Sequence, residues 1–245
     1  MAVTPGGAPP GSKTITAGLA RATERIVRAC QAAGREADSV RLLLATKRQP
    51  ASAIRAALEA GAGLIGENRV QELAGKGPEL ASLPHEAHLI GPLQSNKINA
   101  ALEWAACIET IASLKLAGLL AARANRRAKP VGVMVQVNVS GEPTKSGVHP
   151  DQATDLAYQI AQFHSMRLEG FMTVGLNSED PVAVARCYAS LREIRDQVAA
   201  SGATGTRAAT ELSMGMSRDL EIAIAEGATI VRLGTAVFGP RDPTP

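Results

Sequence analysis

"RLLLATKRQPASAIRAALEAGAGLIGEN", residues 41–68, contains one full period of the chain's organisation. Leu42 to Ala45 form a short apolar run, Thr46 closes it, and Lys47 and Arg48 follow before Pro50 forbids a simple continuation of strand pairing. A helical segment, 51–60, then leads to a second apolar run, "GLIGE". A short buried strand, a helix-length crossover and another short buried strand make the unit from which parallel sheets are built.

The same rhythm continues outward from this stretch. The apolar runs are "RLLLAT", "GLIGE", "AHLIG", "ACIET", "VGVMVQVNV", "LEGFMTV", "ATELSM" and "TIVRLG". Between them lie helical segments at 69–82, 112–128, 151–165 and 181–200. Eight such units within about 250 residues predict a closed (β/α)8 barrel of TIM type. The competing architecture, an open doubly wound sheet, usually has fewer strands and opens on a glycine-rich turn. No GxGxxG follows the first run here and no GxxxxGK[ST] occurs. Ahead of the first strand, Ile15, Leu19, Ala22, Ile26, Ala29 and Ala33 recur at helical intervals and stop at Gly34, which predicts an extra N-terminal helix.

Residues 1–12, "MAVTPGGAPPGS", read as a disordered tail, and 13–241 as one barrel domain. The 245-residue chain is 45% hydrophobic and 20% charged, enough apolar material for one substantial core. Its net charge is +3 with no dense basic block, and only 2% of residues are aromatic, which argues against a nucleic-acid binder. Cys30, Cys107 and Cys187 are odd in number and far apart, so a reducing cytoplasm fits better than a disulfide scaffold. No run approaches the roughly 18 apolar residues of a membrane span, and none is expected.

A barrel gathers the carboxyl ends of its strands on one face, where such folds keep their chemistry. Those ends carry Lys47, Asn68, Gln94, Asn96, Asn138, Thr173, the stretch Ser213 to Ser217, and Arg232 to Thr235. Lys47 reads either as a solvated loop lysine or, desolvated near other cations, as an imine-forming nucleophile toward a carbonyl substrate or a pyridoxal aldehyde. "SMGMS" and "LGT" place Ser213, Ser217, Gly234 and Thr235 ahead of helical turns, in the loops where barrels commonly hold phosphate. Simple N-capping is the plainer reading of the first loop. Arg232 in an apolar strand either pairs with a carboxylate or faces a ligand acceptor; beside a pyridine nitrogen it would keep that nitrogen unprotonated. Met214 and Met216 flank the same loop as secondary pocket candidates, and Lys145 is a turn lysine or a second amine near the mouth. His85 and His88 of "HEAH" lack a third ligand, so no metal is expected.

Taken in order, "LLLATKRQP", "IGENRVQE", "HLIGPLQSNK", "VQVNVSGEPTKSG", "GFMTVG" and "ELSMGMSRDLEIAIAEGATIVRLGTAVFGPR" resemble the YggS/PROSC family of pyridoxal phosphate homeostasis proteins. The resemblance runs from about residue 14 to Arg241. It implies a barrel like the N-terminal domain of alanine racemases, holding pyridoxal 5'-phosphate (PLP) as an imine on Lys47. It further implies Asn68 beside the cofactor, Ser213 or Ser217 with Gly234 and Thr235 at the phosphate, and Arg232 at the pyridine nitrogen, as in the R-x-G element of racemases. Lys145 matches a family lysine near the pocket. Arg69, Leu89 and Pro92 depart from residues frequent in the family and bear on exchange and pocket access.

The resulting expectation is a cytoplasmic PLP carrier that buffers or delivers the cofactor, meets PLP-dependent apoenzymes by transient contact, and exists as a monomer or weak dimer. Tyr158 and Tyr188, the only tyrosines, fall in helical segments, so an opposing catalytic base is not expected. The alternatives are a single-domain racemase or lyase using Lys47 as sole base, and an aldolase-type barrel joining Lys47 directly to substrate.

Overall fold

Strands β1 (Arg41–Ala45), β2 (Leu64–Glu67), β3 (Glu86–Leu89) and β4 (Cys107–Ile111) pair in parallel and in chain order. They are followed by β5 (Val131–Gln136), β6 (Met166–Met172), β7 (Glu211–Ser213) and β8 (Ile230–Leu233), and β8 closes back onto β1 with Leu44 opposite Leu233. This closed barrel is seen in a computed structural model that describes residues 11–239. Most of the expected tail lies outside the described residues, and helix α1 (Ser12–Ala32) already begins one residue inside its predicted limit.

The outer ring consists of α2 (Ala51–Glu59), α3 (Val70–Leu80), α4 (Ile98–Trp104), α5 (Leu114–Ala124), α6 (Pro150–Ala161), α7 (Pro181–Ala200), α8 (Leu220–Ala225) and α9 (Thr235–Phe238). Local chemistry fixes several of these starts. The Ser113 and Asp180 side chains accept from Leu116 N and Val182 N, and Pro181 stands at the first position of α7, where its missing N–H costs nothing. Helix α1 buries the predicted stripe of Ile15, Leu19, Ala22, Ile26 and Ala29 against α8 and α9. Gly18 permits that approach, since a Cβ there would lie 2.6 Å from the Val237 carbonyl.

The fifth strand is shorter than its apolar run. Beyond Gln136 the chain leaves the ladder: Val137 bridges to Val148, and Asn138 Nδ2 donates to the carbonyls of Glu142 and Lys145. A small inner cluster fills the lumen with Leu43, Leu64, Cys107, Met134, Met172 and Ile230, while a much larger cluster packs the strands' outer faces against the helices. Period-two alternation along each strand sorts residues between these two environments.

Candidate functional site

The turn after β1 presents Lys47 at the carboxyl end of the barrel. Thr46, fully buried, keeps its amide in the ladder with Gly66 O at 2.9 Å, and the Gln49 amide closes back on Thr46 O at 2.9 Å. Lys47 is half-buried, and among the described residues its ammonium has no hydrogen-bond or ion-pair partner. It lines a cavity of about 620 Å³ together with Asn68, Arg69, Glu72, Gln94 and Lys97. Three cations against one carboxylate, which is itself bonded to Lys76 and to the Arg48 amide, leave an excess of positive charge that favours an anionic ligand. Gly91 holds the neighbouring wall close: a Cβ there would sit 2.0 Å from Asn68 O.

Strand pairing brings the end of β8 alongside. Gly234 lies against Ala45, where a Cβ would stand 2.9 Å from the Ala45 carbonyl, and Thr235 next to it is exposed at the start of α9. Residues 45 and 234, far apart in sequence, are therefore neighbours because the barrel closes between its first and last strands, and Lys47 follows two residues after that contact.

Arg232, 6% exposed, enters the lumen from β8. Its Nη1 donates to Ser213 O at 2.7 Å and Ser213 Oγ at 2.9 Å, and its Nη2 donates to Thr173 O at 2.7 Å. Of five N–H donors, Nε and one on Nη2 have no partner among the described residues. The chain continues inward: Ser213 Oγ donates to Glu109 Oε2 at 2.5 Å, and Glu109 Oε1 meets His88 Nδ1 at 2.6 Å. His88 Nε2 lies 3.8 Å from Glu86. Burial alone would strip His88 of its proton, but the Glu109 and Glu86 carboxylates outweigh it and raise the imidazole to about 9. Burial likewise opposes the charge on Glu109, yet His88, Arg232 and Ser213 together hold its carboxyl below the usual range. Charges of alternating sign thus thread the lumen from Glu86 to Arg232.

The loop after β7 is braced from outside. Asp219 accepts from the Met216 amide at 2.6 Å and from the Tyr188 hydroxyl at 2.7 Å, and Arg25 of α1 donates to Ser217 O at 2.9 Å. Burial, with Asp219 adjacent, pushes the Tyr188 phenol well above its ordinary range. Met216 and Ser217 line a second mouth cavity of about 990 Å³ shared with Lys145, whose ammonium is spent on Glu142 at 2.6 Å and Gly175 O at 2.7 Å.

The structure therefore divides the sequence-derived candidates. Lys47 and Asn68 line one cavity, Gly234 lies against Ala45 at the seam between β1 and β8 with Thr235 next to it, and Ser217 with Met216 lines another cavity. Two readings are corrected. The hydroxyl of Ser213 points into the lumen and is committed to Glu109 and Arg232, so it is not free for phosphate. Met214, next along β7, points the opposite way into the core under the helices and is not a pocket residue. Of the family departures, Arg69 and Pro92 line the Lys47 cavity, whereas Leu89 is fully buried among the outer-core side chains. Glu109 and His88 were missed, although a glutamate inside the apolar run "ACIET" was a visible signal. No three-residue metal-ligating cluster occurs among the described residues. A further cavity of about 1100 Å³ lies between α1 and the entries to β1 and β2 and is lined by none of the candidates.

Comparison with known proteins agrees with this architecture. The family model for the alanine racemase N-terminal domain matches residues 23–242. A curated pyridoxal phosphate homeostasis protein of Pseudomonas aeruginosa is 42% identical over 229 residues, spanning 94% of this chain and 96% of its own. Among solved structures, a protein of unknown function from Bifidobacterium adolescentis superposes with a TM-score of 0.88 at 44% identity, covering 93% of this chain and 95% of that one. PipY of Synechococcus elongatus, solved with PLP bound, gives a TM-score of 0.80 at 33% identity over 92% of this chain and 100% of its own. On fold, extent and identity, this chain belongs to the pyridoxal phosphate homeostasis proteins, built on the alanine racemase N-terminal domain.

Proposed function

We propose that this chain binds PLP at the mouth of its barrel, attached through Lys47 Nζ, and acts in intracellular PLP homeostasis as a carrier without catalytic turnover. The observation that carries the reading is the half-buried amine of Lys47, without a partner among the described residues, at the end of the strand that pairs with the one bearing Arg232, a guanidinium with donors to spare. The donor set fits the cofactor: a primary amine for an aldehyde, a fixed cation for a ring nitrogen, and Gly and hydroxyl groups for a phosphate. When bound, PLP supplies an aldehyde that condenses reversibly with amines and a ring that draws electrons from the attached carbon.

Each residue then has a definite task. Lys47 provides the attachment nitrogen, and Arg69 and Lys97 add positive potential around it. Gly234 and Thr235, at the start of α9, would hold the phosphate, Ser217 would add a hydroxyl from the loop after β7, and Asn68 would stand beside the cofactor. Arg232, fixed by Ser213 and Thr173, would donate a hydrogen bond toward the ring nitrogen without surrendering a proton to it. A ring left unprotonated is a weak electron sink. The tyrosines support the same reading: Tyr188 donates to Asp219 from within α7, and Tyr158 lies on α6. We read residues 13–241 as one PLP-binding domain, working in the cytoplasm as a monomer or weak dimer and meeting PLP-dependent apoenzymes transiently. Among the described residues no helix is long and apolar enough to cross a membrane.

Borohydride reduction of the protein reconstituted with PLP, followed by peptide mapping, tests the reading directly. The label is expected on Lys47 alone, with complete loss of the adduct in Lys47→Ala. Label on another amine, or rapid solvent-deuterium incorporation at the alpha carbon of an added amino acid, overturns it.

A further inference from the structure

Outside the barrel wall, directly behind Lys47, three charged residues form a cluster that the proposed chemistry does not use. Lys76 of α3 donates to Glu67 Oε1 at 2.6 Å, to Glu72 Oε2 at 3.0 Å and to the carbonyl of Thr46 at 3.1 Å, which accounts for all three of its N–H bonds. Thr46 Oγ1 donates to the same Glu67 oxygen at 2.7 Å. On the other side of Lys47, the Arg48 amide donates to Glu72 Oε2 at 2.7 Å. The cluster thus grips the residue before Lys47 and the residue after it, and leaves Lys47 itself untouched.

We infer that Lys76, braced by Glu67 and Glu72, is a positioning residue that sets the Lys47 turn so that its amine reaches the bound aldehyde; this rests on the reading of Lys47 as the attachment point.

Two further observations separate this role from ordinary packing. Arg48 is the only non-glycine described residue with a positive φ, 62°, a conformation disfavoured for a side chain with a Cβ and sustained here by the Glu72 bond to its amide. Glu67, 1% exposed, leaves Oε2 without a partner among the described residues. A buried ion cluster with an orphaned oxygen is a poor way to add stability, because apolar residues of similar volume commonly do as well or better. What it provides is direction at the backbone. The proposed phosphate-holding groups, Gly234 and Thr235, lie where β8 gives way to α9 and receive no bond from it. Loss of the clamp therefore separates two properties: anchoring of the phosphate persists, while delivery of the amine to the aldehyde falls.

Two vitamers read these properties apart. Pyridoxine 5'-phosphate has the ring and phosphate but an alcohol in place of the aldehyde, so its affinity reports the pocket without the amine. In Lys76→Met, PLP affinity and the rate of borohydride-trappable attachment are expected to fall about tenfold or more, since small misplacements of a reacting group are costly. Pyridoxine 5'-phosphate affinity is expected to stay within about twofold, and Lys76→Arg, which can donate to the same acceptors, to recover much of the attachment rate. Should Lys76→Met prove poorly folded, Glu72→Gln keeps the shape while weakening the bonds from Lys76 and from the Arg48 amide, and is expected to show the same selective loss at roughly threefold. Equal loss of both vitamers, or unchanged PLP attachment in both variants, overturns the inference while wild-type label on Lys47 still stands. Wild-type label elsewhere overturns the binding reading and this inference with it.

Discussion

Two sets of side chains share the barrel lumen and behave in opposite ways. Leu43, Leu64, Met134, Met172 and Ile230 form an apolar plug, held by contacts that have no preferred direction. His88, Glu109, Ser213 and Arg232 form a chain in which every link has a donor, an acceptor and a length between 2.5 and 2.9 Å. The plug fills volume. The chain fixes where one guanidinium sits at the mouth and what balances its charge.

The difference can be broken most severely at Glu109. Glu109→Ala leaves His88 and Arg232 as buried cations with nothing between them, and a loss of about 3–5 kcal/mol in denaturant unfolding is expected. Glu109→Gln, which retains the shape without the charge, is expected to lose less. Next in size is a pH effect. His88 titrates higher when folded than its ordinary 6.5, at about 9, so its contribution is fully present below the unfolded value and disappears as pH rises through the folded one. Urea unfolding between neutral and strongly alkaline pH is expected to show a decline of up to about 3 kcal/mol that is absent in His88→Gln. The plug supplies the smallest effect: Met134→Leu conserves volume and is expected to cost about 1 kcal/mol or less, with PLP absorbance unchanged. A loss of stability in Met134→Leu equal to that in Glu109→Ala would remove the distinction between the two sets.

Much of the architecture was legible from local pattern. Every strand overlaps its apolar run, although β3 and β6 begin one and two residues ahead of theirs and β4 ends one residue beyond, and helix α1 buries most of the stripe that its spacing marked out. Helix α4 was harder to see because its seven residues, "INAALEW", span barely two turns. The mouth residues Lys47 and Gly234 were readable as strand ends, and barrel closure brings their two strands side by side. The orientation of Ser213 was not, since β7 has three residues and too little alternation to assign its faces. The partners of Arg232 come from β7 and from Thr173 just past β6, with Glu109 of β4 reached through Ser213, and such long-range meetings are set by packing across the lumen, where local pattern is silent. Lys145 is likewise decided by a distant carbonyl, Gly175 O, brought to it by the loop after β6.

Because β1 pairs with β8, and α1 rests on α8 and α9, an earlier-made part of the polypeptide waits for a later-made one. During synthesis the ring stays open until residues 230–233 have left the ribosome, so the strand that leads to Lys47 and the turn at Gly234 meet only once all eight strands exist. A pocket built across that seam has no counterpart in a partly made barrel.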